Sequence, residues 1–180
     1  MKTLTLLRHA KSSWNDPVER DFDRPLNERA KRAALLMGDY MRRESMRFDA
    51  ILASPAVRIA ETLAVVERGF GRELPHTQDR RIYLASSVTL LEVLRDCGGD
   101  AESVLLVGHN PGLEDLILDL VPDEGDTALR DEVYAKFPTA SLAVLECDVD
   151  DWGALDRRKA RLLSFTRPRD LDPELGPEDE

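Results

Sequence analysis

The sequence predicts a three-layer α/β fold: a mostly parallel central sheet, helices on both faces, and an antiparallel edge near the C-terminus. Three observations carry that expectation. Short apolar runs at 3–8, 49–53 and 103–108 alternate with longer stretches whose apolar residues recur at helical spacing, the pattern of βαβ units. Each run is bounded by turn-forming or polar residues, as a buried strand is. After residue 122 the alternation stops, and two further β-type runs follow at 140–146 and 161–166.

Taken in order, the first run, Leu4 to Leu7, ends abruptly in Arg8 and His9 and passes into a glycine-free polar stretch from Lys11 to Pro17. A helix is expected over 27–45, with Asn27 as its cap and Ala30, Ala33, Ala34, Met37 and Met41 as the buried stripe. Strand 49–53 closes at Ser54-Pro55. This reads as an N-cap serine followed by a proline at the first helical position, opening a helix over 55–69. A short strand near 80–84 leads into helix 86–97, and strand 103–108 leads into helix 112–121. An acidic loop then runs through Asp131, and the last two strands are expected to pair with each other as the antiparallel edge. One domain over 1–166 is expected. Residues 167–180, rich in Pro, Asp and Glu, read as a disordered acidic tail.

Composition narrows the partners. A chain of 180 residues with 42% hydrophobic and 33% charged content has the size of one self-sufficient domain. No apolar stretch approaches the ~20 residues that span a bilayer. Met1 leads directly into the first strand, leaving no room for a signal peptide. Cys97 and Cys147 lack metal-site spacing and read as buried thiols in a reducing compartment, so a cytoplasmic location is expected. The net charge of −10 argues against nucleic acid as a partner. An anionic substrate remains compatible if positive potential is local, built from Arg8, Lys11, Arg24 and Arg58 inside an acidic shell.

Three segments carry chemistry. Leu6-Leu7-Arg8-His9-Ala10 delivers a cation and an imidazole at a strand end, where functional groups of open α/β sheets gather. Val104 to Gly108 ends in the same way at His109, followed by Asn110-Pro111-Gly112, so two of the three histidines occupy equivalent slots. Ser54-Pro55 starts a helix with Arg58 in its first turn, where the helix dipole disfavours a cation unless an external anion sits there too. Arg24, Lys11 and Asn15 are weaker substrate-binding candidates in the loop after the first motif. The third histidine, His76, has no chemical neighbours in sequence. No His or Cys pair has metal-ligand spacing, so neither a metal nor another cofactor is expected.

The segments LLRHAKSSW, ASPAVRIAET and LLVGHNPG resemble the three signatures of the histidine phosphatase superfamily, the phosphoglycerate mutase-like group. The short chain, and Asp23-Arg24-Pro25-Leu26-Asn27 after the first motif, resemble most its SixA-type phosphohistidine phosphatases. The resemblance runs from about residue 3 to residue 115. It implies a phosphoglycerate mutase-like fold and a phosphohistidine intermediate on His9, with Arg8, Arg58 and His109 clamping the phosphoryl oxygens. Larger members place a glutamate after a mid-chain strand as the general acid, but the corresponding stretch here, Arg81 to Ser86, has none. An alkyl leaving group needs such a proton, whereas a phosphohistidine imidazole can be protonated before it departs. Asp21 and Asp23 are the substitute acids within reach.

The leading expectation is therefore a metal-independent phosphatase acting on phosphohistidine in a protein. The alternatives are a small-molecule phosphomonoesterase acting on a phosphorylated metabolite, and a non-catalytic phosphate-binding adaptor. Mere binding gives no reason for a nucleophile, which weighs against the adaptor.

Overall fold

The structure, a computed structural model, describes residues 1–11 and 21–176. Its strands are β1 (Lys2–Arg8), β2 (Ala50–Ala53), β3 (Thr77–Gln78), β4 (Ser103–Gly108), β5 (Leu142–Cys147) and β6 (Ala160–Thr166). Its helices are α1 (Glu28–Arg43), α2 (Val57–Phe70), α3 (Ser87–Cys97), α4 (Gly112–Leu120), α5 (Ala128–Ala135) and the short α6 (Pro168–Leu171). The sheet order is β3-β2-β4-β1-β5-β6. The first four strands in that order run parallel, and β5 is antiparallel to both of its neighbours, β1 and β6.

Successive side chains on a strand face opposite ways, so each apolar run feeds two cores. Leu4, Leu6, Val104 and Leu106 pack with Leu90 and Leu94 of α3 and Leu113 and Leu116 of α4. Leu7, Leu105 and Val107 pack on the other face with Ala34 and Met37 of α1 and Ile59 and Leu63 of α2. Helices thus cover both faces of the sheet, as expected. Helices α1 and α2 touch almost backbone to backbone. A Cβ at Gly38 would lie 2.2 Å from the Val66 carbonyl oxygen, and one at Gly69 would lie 2.2 Å from that of Leu35.

Register sets up the site. Arg8 is level with Gly108, and Ala53 with Val107, so the next residues, His9, His109 and Ser54, emerge side by side at the carboxyl edge. The backbone of His9 is held from both sides: its N–H donates to the Gly108 carbonyl at 3.2 Å, and its carbonyl accepts from Ala140 N–H at 2.9 Å.

Several expectations need correction. The strand near 80–84 is a 3-10 turn at Arg80–Ile82, and the short strand lies before it at Thr77–Gln78. Asp79 accepts from the Arg81 N–H and caps that turn, a local bond that displaces extended structure. Helix α2 starts at Val57, with Ala56 rather than Ser54 in the cap position. The antiparallel part is wider than an outlying hairpin, because β5 also pairs with β1. The acidic loop gives way to α5 from Ala128.

The expected disordered tail is, as far as Gly176, a folded segment. Arg29 donates to the carbonyls of Glu174 and Gly176, Arg32 pairs with Asp172 and Glu174, and Leu171 and Leu175 join the core beneath α1. Two leucines and two cationic partners on α1 outweigh the polar composition of this stretch. Among the described residues no helix is long and apolar enough to cross a membrane.

Candidate active site

His9 follows β1, His109 follows β4, and their ring centroids lie 5.3 Å apart with the planes tilted by 55°. Both histidines are buried, as is Arg58. The Nδ1 of His9 lies 2.7 Å from the Ala10 carbonyl oxygen. A carbonyl can only accept, so Nδ1 carries the proton and Nε2 keeps its lone pair. The Nε–H of Arg58 points at that lone pair, 3.4 Å away. The other end of the guanidinium reaches His109, with Nη2 3.2 Å from Nδ1, while His109 Nε2 lies 2.7 Å from Ser54 Oγ. Donation from Arg58 to Nδ1 leaves Nε2 of His109 protonated and donating to the serine.

Helix α2 delivers more than Arg58. Residues 58, 61 and 62 share one helix face. Thr62 Oγ1 accepts from the Ala10 N–H at 3.0 Å and donates to the Arg58 carbonyl at 2.6 Å. Glu61 accepts from the Leu26 N–H at 3.3 Å. No acidic residue occupies the first turn of α2, so Arg58 and the exposed N–H groups together offer positive potential. Arg8, at the end of β1, donates through Nη1 to the Phe137 carbonyl at 2.8 Å, and Asn110 Nδ2 donates to the same oxygen at 3.1 Å.

Burial drives the electrostatics. It lowers the pKa of His9 from its ordinary 6.5 to about 3; the Ala10 carbonyl pulls the other way, and His109, Arg8 and Arg58 reinforce the fall. His109 is likewise lowered to about 3, by burial first and then by Arg58. Both imidazoles are neutral at physiological pH. A cationic His109, one role considered for it from sequence, does not belong to the unliganded site and would need a phosphoryl dianion beside it.

Asp21 is the acidic residue that enters the network. Its Oδ2 accepts from Arg58 Nη2 at 3.0 Å and from the Tyr83 hydroxyl at 2.6 Å, and its carbonyl accepts from Arg58 Nη1 at 2.7 Å. Burial tends to raise this carboxyl, but the Tyr83 hydroxyl and the Arg58 charge outweigh it and hold the pKa below the usual value. The Tyr83 ring also stands edge-on to His109, with centroids 5.5 Å apart. Neither Tyr83 nor the contact of Ser54 with His109 was legible from sequence. Tyr83 lies in the stretch searched for an acid, but its role depends on a partner 62 residues away.

The weaker candidates divide. Arg24 is buried, with Nη2 3.6 Å from Asp21 Oδ1. Lys11 lines a neighbouring cleft with Arg29, Lys136 and Arg167, and Asn15 lies outside the described residues. Among the described residues, no three His, Cys, Asp or Glu side chains are grouped to hold a metal ion.

Comparison with known proteins identifies the family. The model of the histidine phosphatase superfamily (branch 1) matches residues 4–83. The uncharacterized protein Rv1276c of Mycobacterium tuberculosis is 35% identical over 164 residues, covering 91% of this chain and all of the relative. A crystal structure from Agrobacterium tumefaciens, described as a candidate phosphohistidine phosphatase SixA, superposes with a TM-score of 0.73 at 34% identity, covering 93% of this chain and 98% of the other. A protein of the same description from Nakamurella multipartitia gives a TM-score of 0.80 at 29% identity, covering 93% and 96%. With identity of 34–35% along nearly the whole length of such relatives, the chain belongs to the histidine phosphatase superfamily, in its SixA-type branch, and is a phosphatase.

Proposed function

We propose that the protein removes phosphoryl groups from phosphohistidine carried on a partner protein, by way of a phosphohistidine on its own His9 and without a metal. The observation that carries this is the tautomer of His9. With Nδ1–H committed to Ala10 and burial keeping the ring neutral, Nε2 presents a nucleophilic lone pair toward Arg58 and His109.

Nε2 attacks phosphorus as the substrate's P–N bond breaks. The electron pair stays on the substrate ring, which leaves as neutral imidazole because its other nitrogen already holds a proton. Water then adds to phosphorus, the pair returns to Nε2, and dihydrogen phosphate departs. His9 keeps its Nδ1 proton throughout. Arg58, Arg8 and His109 hold the non-bridging oxygens, where charge accumulates.

The state of Asp21 supports phosphohistidine over an alkyl phosphate. Tied to Tyr83 and Arg58, it is an ionised acceptor at neutral pH rather than a poised acid. Among the described residues, a carboxyl with the opposite tendency is Glu114 in the first turn of α4, raised by burial and by Asp115.

A histidine-phosphorylated phosphocarrier protein, a sugar phosphate and an aryl phosphate, assayed in EDTA, test the reading. The expected result is turnover of the phosphoprotein and the aryl phosphate, poor turnover of the sugar phosphate, and acid-labile label on the enzyme that disappears in His9→Ala. Arg58→Ala, lacking one preorganised donor, should lose roughly 10²–10³ in rate. Label retained by His9→Ala would overturn the assignment of the nucleophile. A sugar phosphate turned over as efficiently as the phosphoprotein would overturn the substrate class and make Glu114→Gln the next variant.

A further inference from the structure

A second cleft opens beside the phosphoryl site, with a volume of about 330 Å³, lined by Phe22, Pro55, Arg80 and Tyr83. It adjoins the site through Tyr83 and Pro55. Tyr83 stands edge-on to His109 at 5.5 Å and edge-on to Phe22 at 5.2 Å, and Pro55 directly follows Ser54, the hydrogen-bond partner of His109. The rings form a chain of contacts from His9 to His109, from His109 to Tyr83 and from Tyr83 to Phe22. An in-line displacement needs room for the leaving group on the side of phosphorus away from the attacking nitrogen, and this cleft borders the site at Tyr83 and Pro55.

From this juxtaposition we infer that the cleft is the leaving-group subsite and that it selects a flat aromatic ring, the imidazole of phosphohistidine in the first place. The inference rests on the function proposed above and specifies how that substrate is chosen.

The chemistry of the walls fits such a ring and little else. Two aromatic rings and a proline offer edge and face contacts to a planar group, and a guanidinium can stack over it. None of the four residues supplies a carboxylate to protonate an alkoxide, and a sugar would find few hydrogen-bond acceptors there. Tyr83 is fixed by donating its hydroxyl to Asp21 at 2.6 Å, so its ring is held in place before any ligand arrives, and preorganisation of this kind is what makes a contact count. Phe22 and Tyr83 are only half-buried although both are large, which leaves ring surface open to a ligand.

The test compares substrates that share the phosphoryl group and differ in what leaves: inorganic phosphoramidate, whose leaving group is ammonia, against a phosphohistidine peptide and 4-nitrophenyl phosphate. In Phe22→Ala and in Tyr83→Leu, kcat/KM for the two ring substrates should fall roughly three- to tenfold per ring removed, chiefly through KM. Phosphoramidate should change by less than about twofold in Phe22→Ala, which touches none of the phosphoryl-holding groups. Tyr83→Phe keeps the ring and should keep the preference. Imidazole itself should inhibit the wild-type enzyme competitively and inhibit Phe22→Leu more weakly, a comparison that stands even if the alanine variant folds poorly. Equal losses on phosphoramidate and the ring substrates, or unchanged inhibition by imidazole in Phe22→Leu, would overturn the subsite. Failure of the wild-type enzyme to form a phosphoenzyme from phosphoramidate would instead count against the function proposed for His9, so the two failures are distinguishable.

Discussion

Asp21 bonds the same guanidinium that a phosphoryl group must bond. Its carboxylate and carbonyl occupy Nη2 and Nη1 of Arg58, leaving Nε toward His9. An anion entering between the imidazoles must share Arg58 with it and meets its negative charge. Asp21→Asn should therefore bind inorganic phosphate or vanadate more tightly, by roughly threefold, since the carboxylate is partly exposed and solvent screens it. Competitive inhibition constants measured at fixed ionic strength check this; weaker anion binding would mean that Asp21 chiefly orients Arg58 rather than competing for it. The same residues mark what sequence can carry. Arg8, His9, His109 and Arg58 were legible because each sits at a strand end or a helix start, positions that local pattern reveals. The pairing of Asp21 with Tyr83 was not, because it joins a turn after the first motif to one before α3 and depends on the packing of both. Asp21 was reachable as a nearby carboxylate, but as a proton donor, the role its partners now make least suitable.

Helices α1 and α2 hold Arg58 against the sheet, and the fit between them depends on two glycines that helical periodicity passes over. Replacing glycine by alanine inside an exposed helix normally helps, by about 1 kcal/mol. Here the new Cβ of Gly69→Ala would meet the Leu35 carbonyl oxygen at 2.2 Å and the Asp39 nitrogen at 2.9 Å. Backbone atoms of a packed helix cannot turn aside as a flexible side chain would. The clash should win, with a net loss of about 1–3 kcal/mol and reduced activity as α2 carries Arg58 away from His9. Urea unfolding of Gly69→Ala beside a control at an exposed position of the same helix, Arg68→Ala, would show it; a stabilised Gly69→Ala would mean that the helices can part freely. Strand and helix identities were otherwise readable wherever an apolar run had clear length. The failures came where local hydrogen bonds or tertiary packing overrode it: the 3-10 turn capped by Asp79 where a strand was expected, and an acidic tail that α1 recruits through Arg29, Arg32 and the leucines beneath it.

For the whole molecule the consequence of burying two neutral histidines is a fold that weakens in mild acid. Above pH 6.5 His9 and His109 are neutral whether the chain is folded or not, and they cost nothing. As the pH falls below 6.5, the unfolded chain takes up protons that the folded chain refuses until about pH 3. The unfolded state then binds more protons, so stability falls with falling pH across this window. Between pH 7 and pH 5 the loss is on the order of 2 kcal/mol for each histidine, a large share of the 5–15 kcal/mol that holds a typical domain together. Most carboxylates titrate below this interval, which isolates the histidines. Urea midpoints at pH 7 and pH 5 should therefore fall steeply for the wild-type chain and much less for a His9→Asn, His109→Gln double variant, whose remaining site has no imidazole to protonate. The comparison is of the change with pH, so any stability difference between the two proteins at pH 7 drops out. Equal acid sensitivity in both would mean that the imidazoles accept protons within the fold, which would also deprive His9 of its lone pair in that range and weaken the case for it as the nucleophile.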